Sequence, residues 1–300
     1  MATMLTGCGT HQLTAETKPG STTVADPGRL ALGDLPSAPT KGLAKGLVLP
    51  LAAYTVTPVD GYAWQASVQG QWRSCMARYG FEDFGPPAAS ELSVANEINT
   101  SMGRRYGVSD LDAVKKYGYH LPADVPEPPH WEPAAGAESA VFTGVGAEVE
   151  GGIYRGTKIP DGGCRGETKR MFPVPQTPEA DGLSARIYNE SRADAKVTTT
   201  VSKWVACMKV KGFDRKNPLD DLGDLGIQLS SPAVGEAEIA QAVADVECKQ
   251  QTGLVAAWNA RERDMQNVAI KSASKKLSEE KAAKDQKMAK VRQAYQAVSN

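Results

Sequence analysis

The chain has 300 residues and a formal charge of −1, so no global field draws it to nucleic acid. Hydrophobic residues make up 41%, enough for a core, yet no run approaches the roughly 18 apolar residues of a membrane-crossing helix. The 19 Pro and 29 Gly are unevenly spread, which predicts long irregular segments beside compact ones, in one or two domains.

Residues 1–58 read as a tether. Leu5-Thr6-Gly7-Cys8 fits the bacterial lipobox, in which small residues admit a peptidase just before a Cys that becomes lipid-modified. The few residues before it supply neither the charged start nor the apolar run of roughly 7 to 15 residues that a signal needs. The signal is therefore expected upstream of Met1, the alternative being a chance match of four residues. Residues 9–58 are rich in Thr, Gly, Pro, Ala and Ser and bury too little apolar surface to offset ordering. A disordered linker is expected, with 47–54 as a short segment able to pack.

A first helix is expected over 60–79, where Trp64, Val68, Trp72, Met76 and Tyr79 recur at helical spacing. It ends in Trp72-Arg73-Ser74-Cys75-Met76-Ala77-Arg78-Tyr79-Gly80-Phe81. Trp, Cys and Met share one face, Gly suits the left-handed helix ending, and Phe can fold back on the last turn. Short helices follow, one starting near Ser90 and one over 112–117 after Ser109-Asp110. Residues 122–162 are rich in Pro, Gly and Ala and read as an extended loop, with Pro126-Glu127-Pro128-Pro129 polyproline-like.

In the second half, Thr177 is read as a cap and Pro178 as the first turn of a long helix. Its apolar stripe is interrupted at Ser191 and Asp194, where weakening or bending is expected. The helix ends in Trp204-Val205-Ala206-Cys207-Met208-Lys209-Val210-Lys211-Gly212-Phe213, an ungapped twin of the first motif. Another helix opens at Ser231-Pro232 and runs through Ile239, Val246, Trp258 and Met265, with Gly253 a weak point. Beyond 271 a sparse heptad of Leu277, Lys284, Met288, Val291, Tyr295 and Val298 runs among many lysines, predicting a basic helical tail.

Each motif copy is followed by one more Cys, Cys164 and Cys248. The duplication favours bridges Cys75–Cys164 and Cys207–Cys248, although four cysteines allow three pairings or four free thiols. The expected fold is mainly α: a linker over 1–58, a helical unit over 59–172, a unit over 173–270 built on a long antiparallel helix pair, and a tail over 271–300. Each of the two units carries one disulfide.

The twin motifs, Arg104-Arg105-Tyr106-Gly107, Tyr117-Gly118-Tyr119-His120-Leu121-Pro122 and Asp245-Val246-Glu247-Cys248-Lys249 through Trp258 carry a resemblance across roughly 62–270. The chain resembles a family of secreted or lipid-anchored actinomycete proteins of unassigned function. That resemblance implies export, lipid attachment and an α-rich fold, and brings no activity with it.

No nucleophile-elbow, Walker or zinc-protease motif is present, so neither catalytic residues, metal site nor cofactor is expected. Asp220, Asp221 and Asp224 lack the ligand spacing of a calcium loop. Arg104, Arg105, Tyr106, Tyr119 and Trp131 are candidates for a glycan or peptide groove, since aromatic faces and Arg forks suit both; the alternative is that the tyrosines cover the first unit's core. The expected role is a non-enzymatic binding or accessory function outside the cytoplasm, with Cys8 in the membrane. Anionic lipid, wall polymer or another envelope protein is the expected partner. Two alternatives stand beside it: an envelope enzyme using acids of 122–162, and a spacer pairing through its basic terminal helix.

Overall fold

A computed structural model describes residues 31–88, 90–122, 130–220, 223, 227 and 233–299. The fold is mainly helical. Helix α1 (Pro58–Ala77) opens with a capping box: the Thr57 hydroxyl accepts the Asp60 N–H at 3.1 Å and the Asp60 carboxylate accepts the Thr57 N–H at 3.2 Å. Ser90 caps α2 (Glu91–Ser101) and Asp110 caps α3 (Leu111–Tyr117), each at the residue type that satisfies free N–H groups.

Two expectations need correction here, and one helix adds to them. Within the linker assigned to 1–58, residues 31–58 are ordered. Leu35, Ala44, Leu49 and Leu51 are buried, and the Gly42 backbone lies so close to Ser109 that a Cβ there would meet the Ser109 carbonyl at 2.6 Å. Scattered apolar residues sufficed because the rest of the fold offers slots for them, which composition does not register. Cys8 lies outside the described residues. Second, the loop expected over 122–162 holds helix α4 (Ala137–Thr143) and a two-stranded antiparallel hairpin, β1 (Ile153–Tyr154) with β2 (Thr157–Lys158). In addition, α5 (Gly163–Met171), which carries Cys164, was not anticipated. These elements pack Val141, Phe142, Tyr154 and Ile159 around Cys75 and Met76, so tertiary burial outweighs weak local propensity. The polyproline-like 126–129 lies outside the described residues.

The long helix expected after Thr177 is two helices, α6 (Pro178–Arg192) and α7 (Ala195–Val210). The break falls at the anticipated interruption, and Asp194 caps α7 by accepting the Lys196 N–H at 2.9 Å. The Thr177 hydroxyl does not cap α6; it donates to the Asp181 carboxylate at 3.1 Å. The free N–H groups of Glu179 and Ala180 instead meet the Glu280 carboxylate at 2.9 and 3.0 Å, supplied by the last helix. Gly253 separates α8 (Glu236–Thr252) from α9 (Leu254–Ser272), and α10 (Ser274–Ser299) completes the chain. The proposed start at Ser231-Pro232 lies outside the described residues. Among the described residues no helix is long and apolar enough to cross a membrane.

Both motif copies end alike. The Phe81 N–H donates to the Met76 carbonyl at 3.2 Å and Gly80 to Ala77 at 3.0 Å; Phe213 donates to Met208 and Gly212 to Lys209, both at 3.0 Å. These are the paired bonds of a Schellman ending, with both glycines at positive φ. Disulfides join Cys75 to Cys164 and Cys207 to Cys248. The first ties α1 to α5, and the second ties α7 to the adjacent α8.

Contacts cross the boundary expected at 172/173. The basic tail turns its apolar stripe onto α1: Met288, Val291 and Tyr295 pack with Tyr62, Ala63 and Ala66. The Ser67 hydroxyl donates to the Val291 carbonyl at 3.0 Å, and the Tyr62 and Tyr295 rings meet edge to face. Likewise α3 and its flanks pack on α8, through Val114 of the helix and Val108 and Tyr119 beside it, against Ala242 and Val246.

Candidate functional site

The five residues singled out as an aromatic groove do not form one. Tyr106 is 1% exposed and Tyr119 4% exposed, so both are closed to a ligand. Trp131 lies apart from them, stacked on Trp72 and set edge-on to Phe84 in the core around the first bridge. The tyrosines cover a core, but it is that of the C-terminal helices rather than the first unit. Their hydroxyls are drawn inward by buried carboxylates.

One such carboxylate is Glu262 on α9, fully buried. It accepts Arg105 Nε at 2.9 Å, the Tyr106 hydroxyl at 2.8 Å and the Gln266 amide at 3.2 Å. Burial alone would pull the Arg105 guanidinium down, but Glu262 outweighs it and holds the group above its usual range. Burial first, then the Glu262 charge, pushes the Tyr106 hydroxyl well up, so it stays protonated and donates.

The other is Asp245 on α8. It pairs with Lys249 at 3.0 Å, one helical turn on, both side chains at 0% exposure. Trp204 Nε1 donates to it at 2.9 Å and the Tyr119 hydroxyl at 3.3 Å, while Arg215 Nη1 donates to Tyr119 at 2.7 Å. Lys249 also donates to the Val108 carbonyl at 2.9 Å. Burial lowers the Lys249 ammonium despite Asp245, and burial lowers Arg104, whose guanidinium donates to the Tyr119 carbonyl at 2.6 Å. Sequence reasoning passed over Asp245, Lys249, Glu262 and Gln266. The signal was there: these polar residues occupy stripe positions beside Val246, Val255 and Trp258. Both networks join distant segments through side chains at 0% exposure, so they read as structural.

A cavity of about 800 Å³ lies elsewhere, between the 31–57 segment, the start of α1, α2 and α10. This size is that of small-molecule sites generally. Its wall is apolar where Leu35, Leu49, Leu51 and Ile98 line it. Asp60, Lys281, Lys284, Asp285 and Arg292 line it as well and make that part charged. Lys284 is 5% exposed and donates to the Thr55 carbonyl at 3.1 Å, while Arg292 pairs with Asp60 at 2.8 Å. Lys281 pairs with Asp285, whose carboxyl is held below the usual range chiefly by that hydrogen bond. The groove is tied to the buried network: the Leu51 N–H donates to Gln266 at 2.9 Å, and Gln266 donates to Glu262.

The side chains that an enzyme would draw on are engaged or dispersed. Cys75 is in a disulfide and offers no thiolate. His120 Nε2 lies 3.5 Å from the Glu238 carboxylate, and His130 is exposed beside Glu132. In the 130–162 segment Glu132, Glu148, Glu150 and Asp161 are on the surface, and Glu138 accepts the Ala134 N–H. Asp220 accepts the Lys216 and Asn217 N–H groups as a turn cap; Asp221 and Asp224 lie outside the described residues. No protein-family model, curated protein or solved structure matches the chain.

Proposed function

We propose that the protein is an exported, lipid-anchored component of the cell envelope with a non-enzymatic binding role, and that the groove beneath residues 31–57 is its binding surface. The groove itself carries this reading, because it sets a buried ammonium beside a broad apolar wall. Export is supported by the two bridges, since disulfides persist in oxidising compartments. The Leu5–Cys8 motif supports the anchor, and membership of the actinomycete group rests on the twin motifs. The buried apolar stripe of α10 speaks for binding over the spacer role, because α1 already covers the face a partner helix would need.

The test is native mass spectrometry of full-length protein extracted in mild detergent from its own host, with radiolabelled palmitate fed to parallel cultures. A small non-covalent adduct at unit stoichiometry, and labelling abolished by Cys8→Ser, are expected. A hydrolytic or transfer activity lost on a point change within 104–131 would overturn the non-enzymatic role.

A further inference from the structure

We infer that the groove takes a single-chain fatty acid, its carboxylate at Lys284 and its alkyl chain along the apolar wall. This rests on the groove being the binding surface. An ammonium has three donors. Lys284 uses one, on the Thr55 carbonyl; the Asp285 and Asp60 oxygens stand at 3.6 and 4.0 Å, beyond good hydrogen-bond distance. Asp60 is already engaged by the Thr57 N–H and by Arg292. Lys284 is thus ion-paired at long range and hydrogen-bonded once, and it lines the groove with two N–H groups not engaged at hydrogen-bond distance, which a buried cation gains by filling.

Charge sets the head group. Three cations, Lys281, Lys284 and Arg292, face two carboxylates, Asp60 and Asp285, which leaves one positive charge. A monoanion neutralises it. A phosphomonoester, near two negative charges at neutral pH, overshoots. Shape sets the rest. A carboxylate alone fills little of 800 Å³, and the remaining wall offers apolar side chains, including Val48, whose 47% exposure leaves it open at the groove. One charged end and one long apolar body describe a fatty acid.

The experiment titrates full-length protein with carboxyl-labelled laurate below its micelle concentration, reading the carboxyl carbon resonance by NMR and affinity by calorimetry. Methyl laurate and dodecyl phosphate serve as comparisons. Laurate is expected to saturate at one per chain, with the ester at least tenfold weaker and the phosphate no tighter than laurate. Lys284→Gln should weaken laurate at least tenfold while leaving ester binding unchanged, a pattern that misfolding would not give. Val48→Trp, at an exposed position, should weaken both. The wild-type preference for acid over ester needs no variant, so the test survives a poorly folded Lys284→Gln. Equal affinity for acid and ester, tighter binding of the phosphate, or laurate affinity untouched by Val48→Trp would each overturn the inference. If laurate fails to bind while another adduct persists on protein from the host, the fatty-acid assignment falls and the binding role stands.

Discussion

Gly107 and Gly212 both sit at positive φ, 83° and 88°, yet substitution should cost them differently. Around Gly212 nothing lies within 4 Å of an added Cβ, so Gly212→Ala loses only backbone strain, about 1 kcal/mol. At Gly107 the same Cβ would meet Lys249 Nζ at 2.5 Å and the Pro218 carbonyl at 2.8 Å. Gly107→Ala should therefore cost more, roughly 3 kcal/mol by urea denaturation, because it also disturbs a buried ion pair. That pair invites its own test. Lys249→Met strands the Asp245 carboxylate and should cost about 3–5 kcal/mol, whereas Asp245→Asn with Lys249→Met should recover much of it. A double variant no more stable than Lys249→Met would show that Asp245 is held by Trp204 and Tyr119 alone. The sequence displays these charges on the apolar stripes of α8 and α9. Pairing across segments as distant as Arg105 and Glu262 leaves no trace in spacing, which is why the tyrosines read as a groove.

Helix ends were the most legible elements, because caps are local chemistry. Gly80-Phe81 and Gly212-Phe213 close their helices with the same backbone bonds, as the twin motif implies. The α6 start falls at Thr177-Pro178 as expected, but the Thr177 hydroxyl does not cap it: Glu280 on α10 does, a contact that no window along the chain contains. Asp194 does two jobs at the α6–α7 break: it caps α7 and pairs with Arg261 at 2.7 Å. The Arg261 hydrogen bond, more than the cap, holds its carboxyl below the usual range. A folded value depressed below the unfolded value of about 3.9 gives stability that is present above that pH and lost as pH falls through the folded value. Asp194→Asn keeps a good cap and should flatten the acid limb of the stability profile below about pH 4, relative to the parent. Asp194→Ala should cost about 1 kcal/mol more at neutral pH through loss of the cap. Thermal melts across pH 2–7 read both.

At the scale of the whole molecule, two bridges and the pairings of α1 with α10 and α3 with α8 hold distant parts together. The 207–248 bridge closes a loop of separation 41 and the 75–164 bridge one of 89. In the chain-entropy picture each contributes about 4–5 kcal/mol, the longer slightly more. Cys75→Ser with Cys164→Ser should therefore lower Tm at least as far as the Cys207, Cys248 pair, and non-reducing peptide mapping should recover both crosslinks in the parent. The predominance of helix and the bridge pattern could be read from periodicity and duplication. The groove could not, since it draws on 32–60, α2 and α10, brought together only when the last helix lies on the first.

That early docking sets a length of leash. Leu32, near the start of the described residues, itself lines the cavity. With Cys8 acylated as proposed, residues 9–31 even fully stretched span about 80 Å, so the cavity is confined to a layer of that depth above the bilayer. A bound amphiphile would thus be handed over within arm's length of the lipid, not ferried across a wide gap.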